Sequence, residues 1–200
     1  NVTIDGRGTP GDGLVMQGFE SRLDSVRIIG VQGTALAVQR ANNTRWYDIF
    51  VDNSGTATKP AVRIWSKPDT GHANETNTLD IYGLTIERTA NVGLNIAYDA
   101  TDQTGQWAEF IRITNLHMES SSDSGGTQNV DAFIQVGNVR MLSLVQPFVY
   151  GGPGYLMDYR QTVFKGSAAG DGGVQLVGGM FFGASPTGPG GSSSSLVHLV

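Results

Sequence analysis

Three carboxylates become neighbours if similar four-residue runs of this chain stack on one another. Ile49-Phe50-Val51-Asp52, Leu84-Thr85-Ile86-Glu87 and Leu116-His117-Met118-Glu119 each read apolar, variable, apolar, acid. Val2-Thr3-Ile4-Asp5 fits the frame, and Val26-Arg27-Ile28-Ile29 fits it without the acid. Alternate side chains of a strand share a face. Val2, Ile4, Ile49, Val51, Leu84, Ile86, Leu116 and Met118 are therefore expected to point inward. Thr3, Asp5, Arg27, Phe50, Asp52, Thr85, Glu87, His117 and Glu119 are expected to point outward. Parallel strands lie about 4.8 Å apart, so Asp52, Glu87 and Glu119 would form a vertical row. Like charges at that spacing repel, which favours a proton donor beside an ionised partner. Glycoside cleavage uses such a pair, with carboxyls about 5–5.5 Å apart for retention and about 6.5–9.5 Å for inversion. His117, on the same face as Glu119, adds a candidate base or acid. A hard cation such as calcium would also suit an all-oxygen row. So would a plain structural role, because each acid stands where strand gives way to turn, as in Asp52-Asn53-Ser54-Gly55.

Exposed aromatic rings are natural platforms for the C–H faces of sugars. Trp46, Tyr47, Trp65, Tyr98 and Trp107 are the candidates, with Tyr82 beside them; each stands at a strand end or next to an insertion. Packing at the edge of the core is the alternative for each. His72 and His198 are isolated. No Cys/His metal set, dinucleotide or phosphate-loop glycine pattern, or nucleophile elbow occurs, so no metal or cofactor is expected.

The elements that must position these residues recur. Runs of the first kind start at 2, 26, 49, 84, 116, 148 and 180, the last two being Phe148-Val149-Tyr150-Gly151 and Met180-Phe181-Phe182-Gly183. Recurrence every 30 or so residues signals stacked repeats, each burying its apolar side on the next. A second family of triplets follows the first: Leu14-Val15-Met16, Leu36-Ala37-Val38, Val62-Arg63-Ile64, Leu94-Asn95-Ile96, Phe133-Ile134-Gln135-Val136 and Tyr155-Leu156-Met157. A third precedes it: Leu79-Asp80-Ile81, Ile111-Arg112-Ile113, Val139-Arg140-Met141 and Val174-Gln175-Leu176. Each repeat thus reads as three short strands. Asp80 and Arg112 match in position, a surface ion pair of small worth. Asn43, Asn77 and Asn138 lead into successive repeats and suit left-handed turns. Insertions are expected at 53–60, 66–76, 99–106 and 120–129, with a Gly/Ser/Pro edge loop at 183–195. Helical periodicity is not sustained anywhere.

Composition narrows the setting. The 200 residues carry 39% hydrophobic side chains, enough for one core, and 28 glycines without a collagen period. There is no cysteine, which suits assembly in a reducing compartment. A net charge of −5 with no basic block argues against a nucleic-acid partner. No stretch approaches the roughly 20 apolar residues of a membrane span. Strand-like runs at both ends predict an excerpt of a longer protein, read as a single segment over residues 1–200.

The opening Val2-Thr3-Ile4-Asp5-Gly6-Arg7-Gly8, followed by Gly11-Asp12-Gly13-Leu14, resembles a passage of bacteriophage tailspikes and related polysaccharide-active proteins of the pectin-lyase-like class. The resemblance implies an all-β fold, a right-handed parallel β-helix of about six to seven coils, assembled as a homotrimer of sister chains. It implies a virion-tail protein, made in the host cytoplasm and acting outside it, that binds bacterial surface polysaccharide and often cleaves it by hydrolysis or lyase chemistry. Two other functions fit the same pattern. One is a purely structural spike or adhesin shaft, with outward Ile29, Phe50, Val149 and Phe181 buried against sister chains. The other is a secreted polysaccharide lyase or epimerase acting as a monomer.

Overall fold

Short alternating runs can bury their apolar side only strand on strand, and the structure does this throughout. It is a computed structural model that describes residues 1–7, 9–66, 76–90, 92–98, 107–119, 132–150, 155–159, 173–182 and 197–199. Among these residues there is no helix, and fifteen strands join in one sheet. Every pairing between the strands is parallel.

The sheet consists of two ladders sharing one long strand. In the first, β1 (Val2–Asp5), β3 (Arg22–Ile29), β4 (Leu36–Asp52), β6 (Asn77–Glu87) and β8 (Glu109–Glu119) stack in sequence order. β8 is followed by the pair β10 (Leu142–Val145) and β11 (Phe148–Tyr150), then by β13 (Val174–Val177) and β14 (Met180–Phe182). In the second, β2 (Leu14–Phe19) pairs with the start of β4. Then come β5 (Val62–Ile64), β7 (Leu94–Ile96), β9 (Ala132–Val136), β12 (Tyr155–Tyr159) and β15 (Val197–Leu199).

The long strands are bent, and the bends are aligned. Ser25, Asp48, Gly83, Asn115, Gln146 and Gly178 occupy one column and all have left-handed backbones, with φ between 52° and 75°. Five residues earlier, Glu20, Asn43, Thr78 and Phe110 do the same; five later, so do Gly30, Asn53 and Arg88. Between bends run four-residue segments with two side chains inward. In β4, Thr44 and Trp46 are buried before the bend at Asp48, and Ile49 and Val51 after it. A straight strand would carry the alternation on to Asp48 and Phe50. The left-handed residue shifts the phase by one and keeps the apolar residues inward. The ladder continues through the bends: the amides of Gly30, Asn53 and Arg88 donate to the carbonyls of Asp52, Glu87 and Glu119 at 2.9, 3.1 and 3.1 Å. Left-handed backbone costs a non-glycine residue roughly 1–2 kcal/mol, and stacking in register is what holds so many of them.

In β6 and β8 the third and first sequence families are therefore two halves of one bent strand, whereas in the later repeats they stay separate, as β10 with β11 and β13 with β14. The left-handed residue entering β6 is Thr78 rather than Asn77, while Asn43 takes that role as expected. The frame slips in the later repeats. Leu142-Ser143-Leu144, not Val139-Arg140-Met141, stacks on Ile111-Arg112-Ile113. In β12, Met157 rather than Tyr155 aligns with Ile134. In β11, Phe148 stacks on His117 and Val149 on Met118, one residue from the expected frame. A one-residue slip exchanges faces, so Val149 is fully buried and Phe181 packs half-buried on the core. Val149 is thus not available to a sister chain, and Phe181 stands on the inner side; Ile29 and Phe50 remain on the outer side, half-buried.

One core runs from Val26 to Met157 through Ile28, Trp46, Ile81, Leu84, Ile113 and Phe133. The insertion at 53–60 closes on itself by reciprocal backbone hydrogen bonds between Thr56 and Lys59. The insertions at 99–106 and 120–129, most of 66–76, and all but the last strand-like residues after 182 lie outside the described residues.

Candidate functional site

The expected acid row exists. One column runs Asp5, Ile29, Asp52, Glu87, Glu119, Tyr150, Phe182. Two positions earlier on each strand, Thr3, Arg27, Phe50, Thr85, His117 and Phe148 form a second outward column. The strands place these side chains outward because their neighbours Ile49, Val51, Leu84, Ile86, Leu116 and Met118 are held in the core, as expected. Val2, which was expected to point into a core, is exposed at the first strand of the ladder.

The row's members differ chemically. Asp52 is 2% exposed, and Arg88 binds it with both arms of its fork. Arg88 Nε donates to Oδ1 at 2.7 Å and Nη2 donates to Oδ2. The hydrogen bond and the charge of Asp52 push the guanidinium above its ordinary pKa. A carboxylate buried and neutralised in this way is a strut, and Asp52 leaves the set of candidate catalytic groups. Arg88 was not paired with it from sequence; the stacking of Asp52 on Glu87, which puts residue 88 diagonally beside it, was the available signal. At the head of the column, Asp5 binds Arg7, whose hydrogen bonds hold the exposed carboxyl below its ordinary range.

Glu87, His117 and Glu119 remain together. His117 Nε2 lies 3.3 Å from Glu119 Oε1 and 4.0 Å from Glu87 Oε1. All three are partly exposed, at 32, 38 and 46% for Glu87, His117 and Glu119. Phe148 stacks on the imidazole with ring centroids 5.0 Å apart and planes 13° from parallel. The stack covers one face of the ring and limits its rotation. The arrangement offers two carboxyl groups on adjacent strands with an imidazole close to one and flanking the other. Among the described residues, no group of three or more His, Cys, Asp or Glu side chains is placed to hold a metal ion.

The aromatic candidates fare differently. Trp46 is fully buried and Tyr98 is 5% exposed, so neither offers a face to solvent. Tyr47 is sandwiched: Arg22 lies 5.1 Å from its ring centroid, and Tyr82 stacks on it at 5.3 Å and 10°. Arg63 covers Trp65 at 4.5 Å. In-register stacking turns the Tyr47 ring along the ladder, where Tyr82 of the next strand covers a face, whereas Trp65 is covered from two residues earlier on its own chain. Trp107 is half-buried beside Ser66, whose amide donates to its carbonyl at 2.7 Å. Asp80 carboxylate oxygens lie 3.8 Å from Arg112 Nε, the loose ion pair expected, and 3.9 Å from Arg45 Nε. His72 lies outside the described residues.

A cleft of about 210 Å³ opens beside Gly30, Asn53 and Ser54. Its buried Ser54 hydroxyl is already satisfied, donating to the Asp52 carbonyl at 2.8 Å and accepting from the Val31 amide at 3.2 Å. No helix among the described residues is long and apolar enough to cross a membrane.

No family model, no curated protein and no solved structure matches the chain. Its chemistry has to be argued from Glu87, His117 and Glu119 themselves.

Proposed function

We propose that the chain is part of a right-handed parallel β-helix, in a phage tailspike or tail fibre, that binds host surface polysaccharide and depolymerises it. The parallel, in-register ladders with aligned bends support the coil. The virion-tail setting and the homotrimer belong to the same proposal through the opening Val2-Thr3-Ile4-Asp5-Gly6 passage. The observation that carries the activity is the cluster of Glu87, His117 and Glu119 on the outer face of a rigid sheet. Two carboxyls on adjacent strands, about 4.8 Å apart by strand spacing, approach the separation used in retaining glycoside cleavage. Rigid strands keep that separation without a ligand.

The test is release of reducing ends from a panel of bacterial surface polysaccharides. The wild type is run beside Glu87→Gln and Glu119→Gln, with circular dichroism as the folding control. Cleavage lost by at least about a hundredfold in a folded variant supports the activity. Binding without cleavage of any member leaves a recognition module and removes the enzyme.

A structural shaft is the second reading, favoured by one observation. Phe110 in β8 and Met141, just before β10, stand side by side at a corner and are 43 and 51% exposed. A shaft would bury that ridge against a sister chain, and a monomer in solution would argue against it.

A further inference from the structure

Resting on the proposed depolymerase site, we infer that its substrate is a glycan without carboxylates and that cleavage is hydrolysis rather than β-elimination. Elimination removes the proton beside a uronate carboxylate, and the charge that builds on that carboxylate has to be met by cations. Among the described residues, the face around Glu87 and Glu119 offers the opposite field. Arg88, the guanidinium beside them, is committed to Asp52 through both arms. Arg27 is two strands away from Glu87 in the ladder and lies over the Phe50 ring, 4.8 Å from its centroid. Among the described residues, Glu87 shares the charge of Arg88 with Asp52, Glu119 is paired with His117 alone, and His117 can offset a carboxylate only when protonated. A uronate brought to this face would meet repulsion where it needs neutralisation. A neutral or amine-bearing sugar would not.

Hydrolysis needs the groups that are present. One carboxyl gives its proton to the leaving glycosidic oxygen as the bond from that oxygen to the anomeric carbon breaks. The other carboxylate attacks that carbon and forms a glycosyl ester. Water then attacks the same carbon, returns a proton to the first carboxylate and frees the second. No oxidant, reductant or further reactant enters. His117 is a positioning residue here: 3.3 Å from Glu119, it orients that carboxyl and carries a proton to or from it.

The experiment uses surface polysaccharides that carry uronates and a carboxyl-reduced twin of each, together with naturally carboxylate-free chains. Affinity at two salt concentrations, reducing ends and unsaturated ends are read for the wild type, Glu87→Gln and Glu119→Gln. The expected result is cleavage confined to carboxylate-free chains, with saturated products only. Each uronate polymer should bind at least about tenfold more weakly than its reduced twin, a gap that salt narrows. Glu87→Gln should narrow the same gap at low salt, which a merely structural role would not do. Unsaturated ends from a uronate polymer, or tighter binding of the uronate form, would overturn the inference and leave the depolymerase reading standing. Failure to cleave any chain would overturn both.

Discussion

Arg88 closes a bidentate ion pair on the buried carboxylate of Asp52, one step down the ladder. The pair ties the end of one bent strand to the turn that follows the next. It also separates a structural acid from the two acids left for chemistry.

Arg88→Ala should destabilise the protein by roughly 2 kcal/mol, because it strands a carboxylate that is almost fully buried. That lies below the about 3–5 kcal/mol seen for fully buried pairs, since Arg88 itself is 55% exposed. Arg88→Gly should lose less, because glycine relieves the φ of 48° at this position. Urea unfolding checks both: the midpoint should fall with an unchanged slope. An unaltered midpoint in Arg88→Ala would show that the pair contributes nothing.

Glu87→Gln should leave stability equal or slightly raised, by up to about 0.5 kcal/mol, since it removes one of two neighbouring carboxylates. The same urea titration decides. A loss above about 1 kcal/mol would mean that Glu87 is held by a partner that stabilises its charge.

Gly93→Val should destabilise by about 1–3 kcal/mol through overpacking. The backbone at Gly93 is not left-handed, so glycine's conformational freedom is not what the position requires. The structure gives a different reason: a Cβ on Gly93 would sit 2.5 Å from Met118 Cε and 3.0 Å from the Phe133 ring. Gly93→Val combined with Met118→Ala should recover part of the loss in thermal unfolding. No recovery would point back to the backbone.

Gln146→Gly should be neutral or stabilising by up to about 1 kcal/mol, as the exposed Gln146 has a φ of 52° in the column of bends. The same change at Val145, one residue earlier in extended backbone, should destabilise. Equal losses at both sites would contradict the bend column.

Much of this was legible in the chain. The alignment of Asp52, Glu87 and Glu119 follows from apolar alternation, because Ile49, Leu84 and Leu116 can face only the core. Apart from Asn43, the bends were not legible. Ser25, Asp48, Asn115 and Gln146 share no residue type that announces a left-handed backbone, and only stacking makes them equivalent. For the same reason Phe148-Val149-Tyr150 was placed one residue off: an apolar triplet fits either frame, and the ladder selects the one that buries Val149. The burial of Trp46 and Tyr98 rests on geometry that sequence does not carry. Parallel register stacks Tyr47 on Tyr82, so each ring gives one face to its neighbour.

The central claim is that register brings Glu87 and Glu119 side by side with His117 at their flank, and a cysteine cross-link tests it most directly. The chain has no cysteine, so an introduced pair reports without background. In Glu87→Cys/Glu119→Cys the two Cα atoms would lie about 4.8 Å apart, within disulfide reach. In Glu87→Cys/His117→Cys they would be roughly 8 Å apart on the diagonal, beyond it. Mild oxidation should close the first pair rapidly and leave the second reduced, read by thiol titration and mass spectrometry of the folded protein. Rapid closure of the second pair with the first left open would put the strands in another register, and the site would not exist as described.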